Sequence, residues 1–263
     1  MMTFDPKTQF DLTGKVAIVT GAGGRGNSIG AAYAKGLAKA GAKVVVADLN
    51  GEGAKAVAQE IVDGGGTAIG VQTDIANEAS VTAMMQQVRE QFEGLDILVN
   101  NAALMIEAVG TPAVQTEIAD FRKLMDVNLI GALICAKAAV PLFKERGGGK
   151  IVNQLSAGAW PAQTTYGVSK IALLGLTQTL ATELGQMNVN VNAIAPGMTM
   201  SEAGAALTPA DSPFVQAVEA RCVLRPRGEP DELVGTLLLL CSSAGDWITG
   251  QAINVDGGFI LRS

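Results

Sequence analysis

Seven short runs rich in β-branched residues alternate with amphipathic segments along this chain, and that alternation limits its fold more than any other feature. The runs are VAIVT (16–20), KVVVADL (43–49), AIGVQT (68–73), DILVN (96–100), KIVNQ (150–154), VNVNAIA (189–195) and QAINV (251–255). Between them, apolar spacing of helical period predicts helices over 29–41, 51–63, 78–92, 120–145, 165–184 and 230–240. Strands that follow one another through helical crossovers pair in parallel, and right-handed crossovers cover both faces of the sheet. The expected fold is α/β: a doubly wound, mostly parallel seven-stranded sheet with helices on both faces. No repeat or linker divides the 263 residues, so one domain spans 1–263, with 1–11 as an N-terminal extension. The one long irregular stretch, 198–223, lies between a strand and a helix and reads as a lid over a binding site.

Composition excludes several functions. The chain has no histidine, which removes imidazole metal sites and Ser-His or Cys-His dyads. Its three cysteines, Cys135, Cys222 and Cys241, lack metal-ligand spacing, and Cys135 and Cys241 read as buried apolar residues of helices. A net charge of −6 with no basic cluster argues against nucleic acid as a partner. The N-terminal residues lack the apolar core of a signal peptide, and no later apolar run reaches bilayer length, so no membrane association is expected and a cytoplasmic location is the default.

TGAGGRGNSIG (20–30) joins the first strand to the first helix. A dinucleotide fold needs backbone at that point to approach a pyrophosphate and to aim helix N–H groups at it, although an ordinary glycine-rich turn has the same composition. Gly21, Gly23, Ser28 and Ile29 are the candidate contacts. Asp48 ends the second strand 27 residues after Gly21, where a carboxylate can accept hydrogen bonds from the adenosine ribose and repel a 2′-phosphate. Arg25 would favour that phosphate instead. Asp48 has the position fixed by a strand end, so NAD is favoured over NADP.

These residues, with further motifs in order, resemble the short-chain dehydrogenase/reductase family from Leu12 to Gly258, which implies a Rossmann-like fold. TGAGGRGNSIG looks like the cofactor motif, Asp74-Ile75 the adenine-side acid and its neighbour, and NNAA (100–103) the family's Asn-Asn-Ala-Gly with Ala103 last. Asn128, NQLS (153–156), YGVSK (166–170) and APG (195–197) take the remaining places, followed by ITGQ (248–251) and NVDGG (254–258). The turn is longer than the usual one and carries Ser28-Ile29, which is reminiscent of the enoyl reductases of the superfamily. YGVSK, in contrast, has alcohol/ketone spacing. Ser156 stands only ten residues before Tyr166, closer than the family's usual spacing.

The resemblance implies roles. Tyr166 is the general acid/base on the substrate oxygen, Ser156 orients that oxygen, Lys170 also holds the nicotinamide ribose, and Asn128 helps to position a water. Asn101 and Ala102 border the cofactor, and the turn at Pro196 and Gly197 brings Thr199 to the nicotinamide carboxamide. Each has a plainer reading as well: Ser156 can cap a strand end, Asn128 can bond backbone in mid-helix, and Pro196-Gly197 can simply turn the chain. Tyrosine and lysine at i and i+4 share one helix face, so the ammonium can lie beside the phenol. Bringing a phenol from a pKa of about 10 to neutrality takes about 4 kcal/mol, a size that a nearby positive charge in a partly desolvated cleft can supply, aided by the nicotinium charge of the oxidised cofactor.

The expected activity is hydride transfer between NAD(H) and a secondary alcohol or ketone. An enoyl reductase and a non-catalytic NAD-binding regulator are the alternatives. Leu104, Met105, Ile106, Met198, Met200, Leu207 and Phe214 are candidates for an apolar substrate pocket, and Trp160 either lines that pocket or packs in the core. By resemblance the chain assembles as a homotetramer.

Overall fold

The computed structural model describes residues 5, 8–24, 27–105, 112–161, 164–202, 204, 211–225 and 227–261, with Phe214 described by its backbone alone. Seven strands form one sheet: β1 (Val16–Thr20), β2 (Lys43–Asp48), β3 (Thr67–Gln72), β4 (Ile97–Asn100), β5 (Gly149–Gln154), β6 (Val189–Pro196) and β7 (Ala252–Val255). Their order is β3-β2-β1-β4-β5-β6-β7 and every pairing is parallel. The progression reverses direction between β1 and β4, and crossovers leave that junction on opposite faces, which opens a crevice at the carboxyl ends of the strands.

The period-2 alternation of each strand divides the core in two. Val16 and Ile18 of β1, Val45 and Ala47 of β2 and Leu98 of β4 pack on one face with α3 (Glu78–Phe92) and α5 (Ala132–Arg146). Ala17, Val19, Val44, Val46, Ile97 and Val99 pack on the other, against α1 (Ile29–Lys39), α2 (Gly51–Asp63) and α8 (Val234–Cys241). Cys135 and Cys241 are buried in these two cores, as expected, and burial pushes both thiols up to about 12.

Helix starts follow local chemistry. Ser28, Asn50, Asn77 and Thr164 cap α1, α2, α3 and α6 (Thr165–Leu184), each side-chain oxygen accepting from a backbone N–H in the first turn. The stretch expected as one helix over 120–145 comprises α4 (Ile118–Met125), a π turn (Asp126–Gly131) and α5. The final helix starts as a 3₁₀ turn (Pro230–Leu233) before α8, where Glu229 and Glu232 form a reciprocal capping box. One expectation is corrected here. The continuous helix Ile118–Arg146, at 29 residues, is long and apolar enough to cross a bilayer. Its Ile134, Cys135, Ala139, Leu142 and Phe143 are spent on the sheet, which explains the apolar composition.

The stretch read as a lid, 198–223, contains α7 (Pro213–Glu219). It begins with an isolated parallel bridge between Thr199 and Gly228.

Candidate active site

The turn after β1 is held open by its own backbone. Gly21 has φ +65°, a left-handed conformation, and a Cβ there would stand 2.5 Å from Ala102 Cα. Gly23 donates its N–H to Asp48 Oδ2 at 2.8 Å, while Asn50 N donates to the other carboxylate oxygen at 2.9 Å. Asp48 therefore fastens the glycine turn to the end of β2 and still borders the cleft. Asn101 Nδ2 donates to the carbonyls of Thr20 and Gly21, each at 2.9 Å, and the Thr20 hydroxyl accepts from the N–H groups of Asn101 and Ala102 at 3.1 Å. The ends of β1 and β4 are thus stitched together at the crevice. Ser28 and Ile29 open α1 on the cleft, and Asp74 and Ile75 border it beyond β3. Arg25 lies outside the described residues.

At the far end of the cleft, α6 carries Tyr166 and Lys170 one turn apart. Lys170 Nζ stands 5.5 Å from the Tyr166 ring centroid, is 1% exposed, and donates to the Gln154 carbonyl at 2.8 Å. The Ser156 side chain, just after β5, lies close enough to the Tyr166 hydroxyl to favour its ionised form, and accepts from Gly158 N at 3.1 Å. The short separation of Ser156 from Tyr166 is bridged by a 3₁₀ turn (Ala157–Ala159) that Ser156 itself caps.

Electrostatics depart from the expectation. Burial pushes the Tyr166 phenol up to about 12, with the nearby Ser156 side chain pulling the other way. Burial also pulls Lys170 down to about 7. Desolvation acts on both groups, so the ammonium does not acidify the phenol in the free chain, and the lowered phenol expected from sequence is not found. Near neutrality Tyr166 is held in its protonated form.

Asn128 lies in the π turn, buried. Its Nδ2 donates to Leu104 O at 2.9 Å and to Ser169 Oγ at 3.0 Å, and its Oδ1 accepts from Leu104 N at 2.7 Å. Ser169 in turn donates to Tyr166 O at 2.7 Å. The Asn128 side chain thus secures the segment after β4 to the first turn of α6, and its hydrogen bonds go there and not to Lys170. Pro196, Gly197 and Thr199 border the cleft, with Thr199 Oγ1 donating to Gly197 O at 3.2 Å.

The cleft between these two ends measures about 580 Å³. Leu104, Met105 and Met198 line it as expected. Met200 does not: it is 42% exposed and its sulfur meets Arg227. Trp160 packs against the small cluster of Leu155, Leu173 and Ala195, which supports its core reading over a pocket role. Ile106 and Leu207 fall outside the described residues. Sequence reasoning missed Gln154, Val218 and Phe259, all of which line the cleft. Phe259 follows the NVDGG motif, so its nearness to the turn was legible, but its direction depends on Gly257 and Gly258, both at positive φ. The lengthened glycine turn has a visible consequence: Asn27 Nδ2 donates to Met200 O and to Glu229, each at 3.2 Å, and Asn27 O accepts from Glu202 N at 2.9 Å. The longer turn is thereby tied to the start of the 198–223 stretch.

Comparison with known proteins agrees with this geometry. A family profile described as "Enoyl-(Acyl carrier protein) reductase" matches residues 24–260. An uncharacterized oxidoreductase of Mycobacterium tuberculosis is 47% identical over 249 residues, covering 95% of this chain and 98% of that relative. The chain belongs to the short-chain dehydrogenase/reductase family. Two solved members illustrate its range. A 7α-hydroxysteroid dehydrogenase complexed with NADH and 7-oxo glycochenodeoxycholic acid superimposes with TM-score 0.88 at 32% identity, over 97% of this chain and 98% of that one. A gluconate 5-dehydrogenase from Burkholderia cenocepacia, in complex with NADP and tartrate, gives TM-score 0.88 at 33% identity, over 95% and 97%. The family is one of oxidoreductases, and its members in these complexes hold either nicotinamide dinucleotide.

Proposed function

We propose that this protein is an NAD(H)-dependent dehydrogenase/ketoreductase acting on a secondary alcohol or ketone with apolar substituents. The observation that carries the reading is the Ser156–Tyr166–Lys170 cluster at one end of a cleft whose other end is a glycine turn fastened to Asp48. The residues present suit a dinucleotide. Gly21 leaves the turn without a Cβ where backbone must approach phosphate, α1 presents its N-terminus, and Asp48 offers a carboxylate to ribose hydroxyls. When bound, the nicotinamide ring supplies or accepts the hydride.

In this reading the chain's own residues handle the proton. Tyr166 gives a proton to, or takes one from, the substrate oxygen, and Ser156 hydrogen-bonds that oxygen and the phenol together. A phenol held protonated near neutrality is the form that ketone reduction needs. Alcohol oxidation needs the phenolate, which the positive charge of protonated Lys170 and of the oxidised nicotinamide would favour. Asn128 acts by holding Leu104 and the start of α6 in register with Lys170. Asp48 would repel a 2′-phosphate, which supports NAD over NADP; the NADP complex of the gluconate 5-dehydrogenase keeps NADP as the contrary outcome to be tested.

An enoyl reductase is the second reading, favoured by Ser28-Ile29 in the turn and by the description of the matching family profile. One experiment separates the readings: a panel of ketones, alcohols and an enoyl thioester, followed by NADH and NADPH absorbance in parallel. Turnover of ketones or alcohols with NAD(H) is expected. Turnover of the thioester alone would favour the second reading, and dinucleotide binding without turnover of any substrate would indicate a regulator.

A further inference from the structure

Gln154, the last residue of β5, and Tyr33, on α1, have no part in the reading above. Tyr33 is fully buried and Gln154 is 7% exposed, yet their side chains meet: Tyr33 Oη donates to Gln154 Oε1 at 2.9 Å. A buried hydroxyl left without a partner is costly, so this bond fixes which way the amide faces. Gln154 is also joined to the reacting end of the cleft, because its backbone carbonyl accepts from Lys170 Nζ at 2.8 Å.

With Oε1 committed to Tyr33, the amide has two N–H donors left. Among the described residues, none accepts from Nε2, and the sealed side-chain atoms without a partner belong to Asn100, Thr165 and Ser242 instead. Gln154 lines the cleft, and its Nε2 is not among the sealed atoms, which leaves the amide reachable from that space. The position is specific: the Gln154 backbone holds Lys170 of the reacting end, and its side chain meets Tyr33 of α1, the helix that begins at the glycine turn. A neutral donor there faces the junction between the reacting end and the phosphate-binding end.

We propose that Gln154 positions the dinucleotide, its amide N–H groups donating to a ribose or phosphate oxygen of the nicotinamide nucleotide half, and that Tyr33 orients that amide from inside the core. The proposal rests on the dinucleotide reading above. An apolar residue at 154 would fill the strand end equally well but would offer no donor to the cleft, and Tyr33 would then be a buried phenol without an acceptor.

The test is equilibrium titration of wild type, Gln154→Leu, Tyr33→Phe and the double variant with NADH and, separately, with 5′-AMP, which lacks the nicotinamide nucleotide half. Loss of one neutral hydrogen bond should raise the Kd for NADH roughly 3- to 10-fold in Gln154→Leu while leaving that for AMP unchanged. Tyr33→Phe should raise it less, and the double variant should match Gln154→Leu, because the two residues act through one amide. Should Gln154→Leu fail to fold, the double variant, which leaves no orphaned hydroxyl, supports the same comparison. An unchanged Kd for NADH in folded variants lacking Gln154, or equal weakening of NADH and AMP, would overturn the assignment. Additive effects in the double variant would remove Tyr33 from it. If wild type binds no NADH, the dinucleotide reading itself falls and takes this one with it; wild-type binding with no effect of Gln154 leaves that reading standing.

Discussion

Lys170 and Tyr166 show how far burial can alter a pair that sequence places side by side. The i, i+4 spacing made their neighbourhood legible, because a helix determines which side chains share a face. It could not reveal the sign of the electrostatics, which depends on how much of the sheet end and the 157–159 turn covers them. The consequence is measurable as stability. Lys170 falls from 10.5 to about 7 on folding, so below pH 7 both states hold its proton and the full burial penalty applies. Between pH 7 and about 9 the unfolded chain binds more protons than the folded one, and stability should rise. Above that, Cys135 and Cys241, from 9 to about 12, and Tyr166, from 10 to about 12, keep protons that the unfolded chain sheds, and stability should fall. No histidine obscures the lower window. Thermal melts from pH 6.5 to 8 should therefore climb for the cofactor-free wild type and show no such climb for Lys170→Met. Asp48 poses a second residue-scale question. Asp48→Ala should narrow the ratio of kcat/KM for NAD over NADP, since it removes the charge that would oppose a 2′-phosphate. A wild type that already prefers NADP would contradict the cofactor assignment.

At the scale of elements, strands and helices were read closely from sequence where one local signal dominates. β1 ends at Thr20 because glycines follow it, and α2 starts at Gly51 because Asn50 caps it. The π turn at 126–131 was not legible, since its cause is tertiary: Asn128 is pulled to the backbone of Leu104 and to Ser169. Polar contacts between distant elements were hidden for the same reason. Asn100 and Asn153, register partners on β4 and β5, share a hydrogen bond of 2.9 Å, and Asn153 donates on to Thr177 of α6 at 2.9 Å. This buried ladder ties the sheet to the helix that carries Tyr166 and Lys170. Asn153→Ala would take from the buried Asn100 amide its shorter acceptor, leaving only the Ala132 carbonyl at 3.4 Å, and chemical denaturation should show a loss of about 1–3 kcal/mol. A change within 0.5 kcal/mol, as at an ordinary surface site, would deny the ladder its structural role.

For the whole molecule, the alternation of strands and helices was enough to foresee a doubly wound sheet, because parallel strands have few ways to connect. The strand order itself was not foreseen, and the cleft sits where that order reverses, at the ends of β1 and β4. The substrate wall was less legible: Phe259 and Val218 reach the cleft from segments far along the chain, and Met200 is not part of its lining. Assembly is a further proposal at this scale. Ile118, Ile130, Val168 and Ile171 leave apolar surface exposed on the long helix and α6 of a single chain, which supports the homotetramer implied by family resemblance. Light scattering coupled to size exclusion should return the mass of four chains, and a monomeric mass would contradict it. The central claim is that a phenol in this cleft moves the proton while a bound nicotinamide exchanges the hydride. Its most direct test compares wild type and Tyr166→Phe for NADH-dependent reduction of a ketone, with NADH affinity measured in both. The account predicts a rate at least about 10²-fold lower with NADH affinity unchanged, and equal rates in the two proteins would contradict it.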